Sequence, residues 1–422
     1  MNSYAIARSA HSGMAASAKR TVTPAMWLVI IAVNFNLLLC FINSRHWVSV
    51  GSGDIIGVEL LLLAAGFWLL RARFTRQTIE LSLFIIAYLA ALRFINAGLD
   101  LKILHDLAIM VIFYKLGTLT SVETGSQLLW IVMLIVLAVG LFELVLPVLF
   151  GNIFDVWSYY VNKGVIDQDA VKLSQSNLFI SGNRGSDTVR NFFPGIFGSH
   201  RVSSVFLEPD SLGNFAVVAF AWCLSTAVGS LRSRALLLFF ACCCFVLPDS
   251  RFASICCVAM LFFKFVLPIR SNLLAFFLPV LVLLGLVVAA SLHPMPGGIT
   301  PRIINDDFAG RLLFSGRLLN FWHLSQWLGL APSQVYTADT GYAYVINNLG
   351  LPLALFLLAV FAAGGGTQAE AKVMKLMVAV YFATSLCVGA SVFTIKTAAL
   401  LWFLYGAANA MPHLNTARRT LR

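Results

Sequence analysis

Charge is what this sequence lacks. Of 422 residues only 11% are Asp, Glu, Lys or Arg, while 59% are hydrophobic and the mean hydropathy is +0.87. A soluble domain carries about a quarter charged residues, so a water-soluble globular fold is excluded. The eight cysteines, from Cys40 to Cys387, all lie in or beside apolar runs. None has metal-finger spacing or a partner across a polar loop, which leaves packed thiols and excludes a disulfide framework. Glycine-rich nucleotide loops are also missing, since Gly364-Gly365-Gly366 reads as a flexible turn. No small-residue cleavage site follows Arg8, Lys19 and Arg20, so the first apolar run is expected to be retained.

What is present are apolar runs of the ~20 residues a helix needs to cross ~30 Å of hydrocarbon. They fall near 25–43, 54–70, 78–96, 103–119, 127–149, 204–228, 235–248, 252–268, 271–291, 342–363, 373–390 and 393–411. The expectation is an all-α polytopic membrane protein of about twelve spans, one membrane-embedded domain over 1–422. Sheets would leave backbone groups unpaired in lipid. With the N-terminus placed in the cytoplasm, the inner turns collect Arg71, Arg73, Arg76, Arg232, Arg234, Arg270, Lys372, Lys375, Arg418, Arg419 and Arg422. The short outer turns hold only Arg45, Lys102, Arg251 and Lys396. This is the positive-inside asymmetry, with both termini cytoplasmic. The net charge of +11 therefore requires no nucleic acid.

The same topology puts two long loops, 150–203 and 292–341, on the outer face, and loops of that length usually carry function. In the second, residues 308–329 read as an amphipathic helix at the membrane surface, with Arg311, Arg317 and His323 among Leu, Phe and Trp. Plain interfacial anchoring explains the same pattern. Three clusters stand out. Arg201, Glu208 and Asp210 sit at the mouth of the sixth run, where ionisable groups need partners or a wet cavity; an Arg201–Glu208 ion pair is the structural alternative. Asp249-Ser250-Arg251 occupies an outer turn, where Asp249 or Ser250 is a natural helix N-cap. Ser315-Gly316-Arg317 is followed by Asp339-Thr340-Gly341-Tyr342, with Asp339 a candidate cap for the tenth run.

These clusters, SSVFLEPDSLGNF after Arg201, Ser250-Arg251, Ser315-Gly316-Arg317 and DTGYAYVINNLGLPLALFLL at 339–358, resemble the Wzy-like O-antigen and exopolysaccharide polymerase family. That family belongs to the O-antigen ligase and polymerase superfamily. The resemblance implies a GT-C-like membrane glycosyltransferase in the bacterial inner membrane. It also implies a periplasmic reaction in which undecaprenyl-pyrophosphate-linked repeats are polymerised without metal or other cofactor, with a chain-length regulator protein as a partner. Ligases of the superfamily carry a His where this chain, judged by the distance to Gly350, has Asp339; Asp339 with the aromatic Tyr342 favours polymerase. An O-antigen ligase, or a lipid-linked glycan flippase or secondary transporter, are the alternatives. No internal repeat of the transporter kind is visible.

In the implied reaction a sugar hydroxyl attacks an anomeric carbon and pyrophosphate leaves. Arginine suits that leaving group, because its guanidinium stays charged and forks onto phosphate oxygens. Arg201 and Arg317 are the candidate catalytic cations, and Arg251 and Arg311 candidate substrate-binding ones, with Asp210 and Tyr342 beside them. Glu208 and Asp339 are candidate bases. Asp306-Asp307 offers only a weak metal site.

Overall fold

In the computed structural model the described residues are 23–71, 73–96, 100, 102–166, 200–266, 272–293, 308–335, 337, 340–366 and 368–410. They are all-helical. In chain order the helices are α1 (Pro24–Ser44), α2 (Ser52–Leu70), α3 (Arg76–Ile95), α4 (Lys102–Thr118), α5 (Val122–Val145), α6 (Pro147–Ile153), α7 (Val156–Asn162) and α8 (Pro209–Ser225). Then come α9 (Leu231–Val246), α10 (Arg251–Phe265), α11 (Asn272–Leu292), α12 (Phe308–Asn320), α13 (Leu324–Trp327), α14 (Gly341–Ala363), α15 (Ala369–Ser385) and α16 (Ile395–Ala408).

Side-chain oxygens start several of them. Thr23 accepts from Met26 N with Pro24 in the first turn, and Ser121, Ser230 and Ser250 accept from Thr124, Ser233 and Ala253 N. Such caps satisfy backbone donors that a helix cannot satisfy itself.

Six helices, α1, α2, α3, α5, α11 and α14, are long and apolar enough to cross a membrane. Leu61, Trp68, Phe94, Val258 and Leu281 expose more than half of their surface, an arrangement suited to lipid rather than water. The centre is built differently. All 14 residues of α16 and 14 of the 17 in α8 are buried. At 1.5 Å per residue these helices are roughly 21 and 25 Å long, less than a ~30 Å hydrocarbon layer. Each is preceded by irregular backbone sunk inside the bundle.

Two expectations change here. The sixth run becomes helical only at Pro209, because Ser204–Phe206 is a 3-10 turn and Leu207 is left-handed at φ 60°. The amphipathic helix ends at Asn320 rather than 329, and His323 opens the separate short helix α13.

Close packing of α4 on α16 rests on two glycines. A Cβ on Gly117 would meet the carbonyl oxygen of Phe403, and one on Gly406 would meet that of Tyr114. Small residues are how membrane helices bring their backbones together. Gly350 does something else: at φ 69° it breaks α14 two residues before Pro352, and the chain around Gly329 packs into the break. Asn96 Nδ2 donates to Gly329 O at 3.1 Å, tying the end of α3 to the same place.

Gly406→Ala should lower the melting temperature of the detergent-purified protein, because overpacking of ~1–3 kcal/mol outweighs the helix-propensity gain of about 1 kcal/mol. Gly57→Ala, where a Cβ meets nothing within 4 Å, should leave it unchanged or raise it. Equal effects from the two substitutions would contradict the packing described.

Candidate functional site

The site begins with a carboxylate that has no exposed surface. Glu143, on α5, accepts from Ser203 N at 3.0 Å, Ser204 N at 2.6 Å, Ser203 Oγ at 3.1 Å and His200 Nε2 at 2.9 Å. Ser204 Oγ donates to Val136 O at 2.6 Å. Val136 lies nine residues before the end of α5, so this backbone is sunk about 13 Å below the helix end. Non-helical backbone at that depth is stable only when protein groups satisfy it, and Glu143 supplies them.

The recess places Glu208 at the N-cap of α8. Its Oε2 accepts from Lys396 Nζ at 2.6 Å and Ser211 Oγ at 2.7 Å, and its Oε1 from Tyr160 OH at 2.7 Å. The Lys396 ammonium and the Ser211 and Tyr160 hydroxyls together enclose the carboxylate and favour its charged form. Burial, then Glu208, pushes the Tyr160 phenol well above its ordinary value. Lys163, at the end of α7, is lowered by burial and then by Lys396, against the opposing fields of Glu208 and Glu59. It stands electrically between two acids.

Arg201 pairs with Asp210, not with Glu208. Its Nη2 lies 2.8 Å from Asp210 Oδ1 and its Nε donates to Pro248 O at 2.9 Å. The separation follows from Leu207: its left-handed turn sends Glu208 toward Lys396 and leaves Asp210, 66% exposed, facing the buried Arg201. Ser250, rather than Asp249, caps α10, and Asp249 takes a left-handed φ of 46° in the turn. Arg251 opens α10 and Arg311 lies on α12, both half-buried. Arg317 forks onto one backbone oxygen, His293 O, at 3.0 Å from Nε and 2.8 Å from Nη2, and so caps the end of α11. Tyr342 is buried and donates to Pro279 O at 2.9 Å, which makes it a helix-packing residue. Asp339, Asp306 and Asp307 lie outside the described residues.

A second polar cluster joins the first at the same end. Asp106 on α4 accepts from Lys102 Nζ at 3.0 Å and from Tyr344 OH at 2.8 Å. His105 places Nδ1 3.3 Å from Asp106 Oδ1 and Nε2 3.4 Å from Glu59 Oε2. The Tyr344 ring packs 6.0 Å from that of Phe393, three residues before Lys396. Glu59, His105, Asp106, Glu143 and Lys396 were not singled out from sequence. The signal was there, because each is an ionisable group in or beside an apolar run.

Between α10, α11, α12 and α15 runs an apolar groove of about 590 Å³, lined by Phe252, Ile255, Leu286, Leu312, Leu313 and Cys387. Among the described residues no three His, Cys, Asp or Glu side chains are placed to hold a metal ion. No family model matches the sequence, and no curated protein or solved structure matches it either.

Glu208→Gln should lower the melting temperature of the detergent-purified protein, because the amide cannot replace the carboxylate that Lys396, Ser211 and Tyr160 all donate to. A Glu208→Gln protein that melts with the parent would contradict the pairing described.

Proposed function

We propose that this chain is a membrane glycosyltransferase with twelve transmembrane helices that polymerises undecaprenyl-pyrophosphate-linked repeat units on the periplasmic face of the inner membrane. Each of the twelve apolar runs carries a helix, and the positive-inside pattern orients them with the polar recess outside. The observation that carries the reading is the recess itself. There Arg201–Asp210 and Glu208–Lys396 flank one buried irregular segment at the loop-bearing end of an otherwise apolar bundle.

The chemistry suits a phosphate leaving group. Arg201 is buried and preorganised by Pro248 O, while its acidic partner is mostly exposed and open to exchange with an anion from solvent. A pyrophosphate can displace Asp210 and take the guanidinium fork bidentately. Lys163 and Lys396 add positive charge nearby. The groove beside Arg311 has room for part of an isoprenoid chain. Arg317, already committed to His293 O, acts in this reading by holding α12 on α11.

The break in α14 at Gly350 favours a second reading, a flippase or secondary transporter, since transporters use discontinuous helices. Cells lacking the protein separate the two. Loss of a polymerase arrests single lipid-linked repeats on the outer leaflet, and loss of a flippase leaves them inside.

Purified protein given a synthetic lipid-linked repeat should make longer glycans in the presence of EDTA. Arg201→Lys should slow this extension by roughly 10²–10³, the usual effect of losing a preorganised charge at a leaving group. Arg317→Lys should lower stability more than rate. The opposite ranking would return the phosphate role to Arg317. A reporter active only in the periplasm should be on when fused after Gly310 and off after Gly366; the reverse would place the recess on the wrong side for this chemistry.

A further inference from the structure

Transfer to a sugar hydroxyl releases a proton, and Glu208 is a poor destination for it. Three donors surround its carboxylate and leave it no free lone pair directed at a substrate hydroxyl. We propose that His105 is the proton acceptor of the reaction, with Asp106 and Glu59 as its positioning residues; this rests on the glycosyl-transfer reading above.

The geometry is that of an oriented imidazole. Asp106 Oδ1, 3.3 Å from Nδ1, favours the tautomer with the proton on that nitrogen. Asp106 is itself fixed by Lys102 and Tyr344. Nε2 then carries the lone pair, and among the described residues that buried nitrogen has no hydrogen-bond partner. Glu59 Oε2 lies 3.4 Å from Nε2 without hydrogen-bond alignment, close enough to stabilise an imidazolium once it forms.

The charged surroundings are defined on every side. Lys102 and Asp106 belong to α4 itself and Glu59 to α2. Tyr344 reaches in from α14, Lys163 acts on Glu59 from the loop, and Lys396 on α16 is engaged by Glu208. Among the other described histidines, His200 gives Nε2 to Glu143, the carboxylate that holds the Ser203–Ser204 backbone, and leaves its own buried Nδ1 without a partner; His293 Nδ1 sits on Ala289 O, and His46 and His323 are exposed.

In the step itself, the acceptor hydroxyl oxygen bonds to the anomeric carbon. The bond from that carbon to the pyrophosphate oxygen breaks, and its electron pair leaves with pyrophosphate. The hydroxyl proton passes to Nε2 of His105, and the imidazolium later returns it to water.

The test is extension of the synthetic lipid-linked repeat by purified His105→Ala and His105→Gln proteins, with melting temperatures recorded alongside. Removing a general base typically costs 10²–10⁴ in rate, so both variants should fall that far. Added imidazole should restore part of the His105→Ala rate. A His105→Gln protein that extends at the parental rate overturns the proposal, as does a folded His105→Ala protein that imidazole does not rescue. If His105→Ala does not fold, the rate of the folded His105→Gln protein decides. A parent protein that makes no polymer at all would instead sink the glycosyl-transfer reading.

Discussion

A carboxylate without exposed surface can persist in an apolar bundle only if donors enclose it, because an unpaired buried charge costs several kcal/mol. Glu143 is enclosed by two backbone N–H groups, a serine hydroxyl and an imidazole. The bargain is mutual. Ser203 and Ser204 lie where helical hydrogen bonds cannot form, and lipid offers no replacement. With Glu143 present, the chain keeps left-handed Ser204 and Leu207 inside the protein, so α8 starts at Pro209 within the bundle and not at its surface. Arg201, Glu208 and Asp210 then point where they do because this short segment is held.

A second irregular stretch repeats the device. Between Ser385 and Ile395 the chain leaves α15, passes the 3-10 turn Ser391–Phe393 and enters α16. Ser385 and Ser391 hydroxyls meet at 3.2 Å, Thr394 Oγ1 donates to Ser391 O, and Gly341 lets α14 approach Gly389 O. This delivers Lys396 to Glu208. That half-buried contact joins the two irregular segments mechanically as well as electrically.

The apolar runs, and the cap of α10 within the pair Asp249-Ser250, were legible in the sequence because each is a local pattern. Arg201, Glu208 and Asp210 were legible as a cluster, but their pairing was not. Leu207 shows why: one left-handed residue separates two acids two positions apart, and nothing in its identity announces that. Lys396 was hidden for another reason. Its partner lies 188 residues away, and Glu143 finds Ser203 across 60. A single ionisable residue in an apolar run marks a site without naming its neighbours. Arg317 shows the converse ambiguity, since a fork that suits phosphate suits a helix-terminal carbonyl equally well.

Among the described residues, the lysines at the two ends of the bundle meet different partners. Away from the recess, Lys264 donates to Leu224 O near the end of α8, and Lys375 to Ala362 O and Gly364 O at the end of α14. These lysines meet the carbonyl ends of helices, which attract cations through the helix dipole and their unpaired acceptors. The ion pair at that end, Arg76–Glu80, is exposed on both sides. At the recess, lysines meet carboxylates instead: Lys396 with Glu208, Lys102 with Asp106, and Lys163 between Glu208 and Glu59. A cation on a carbonyl has no anion to trade. One paired with a carboxylate inside low-dielectric surroundings can exchange that partner for a phosphate, and the freed carboxylate can orient a hydroxyl.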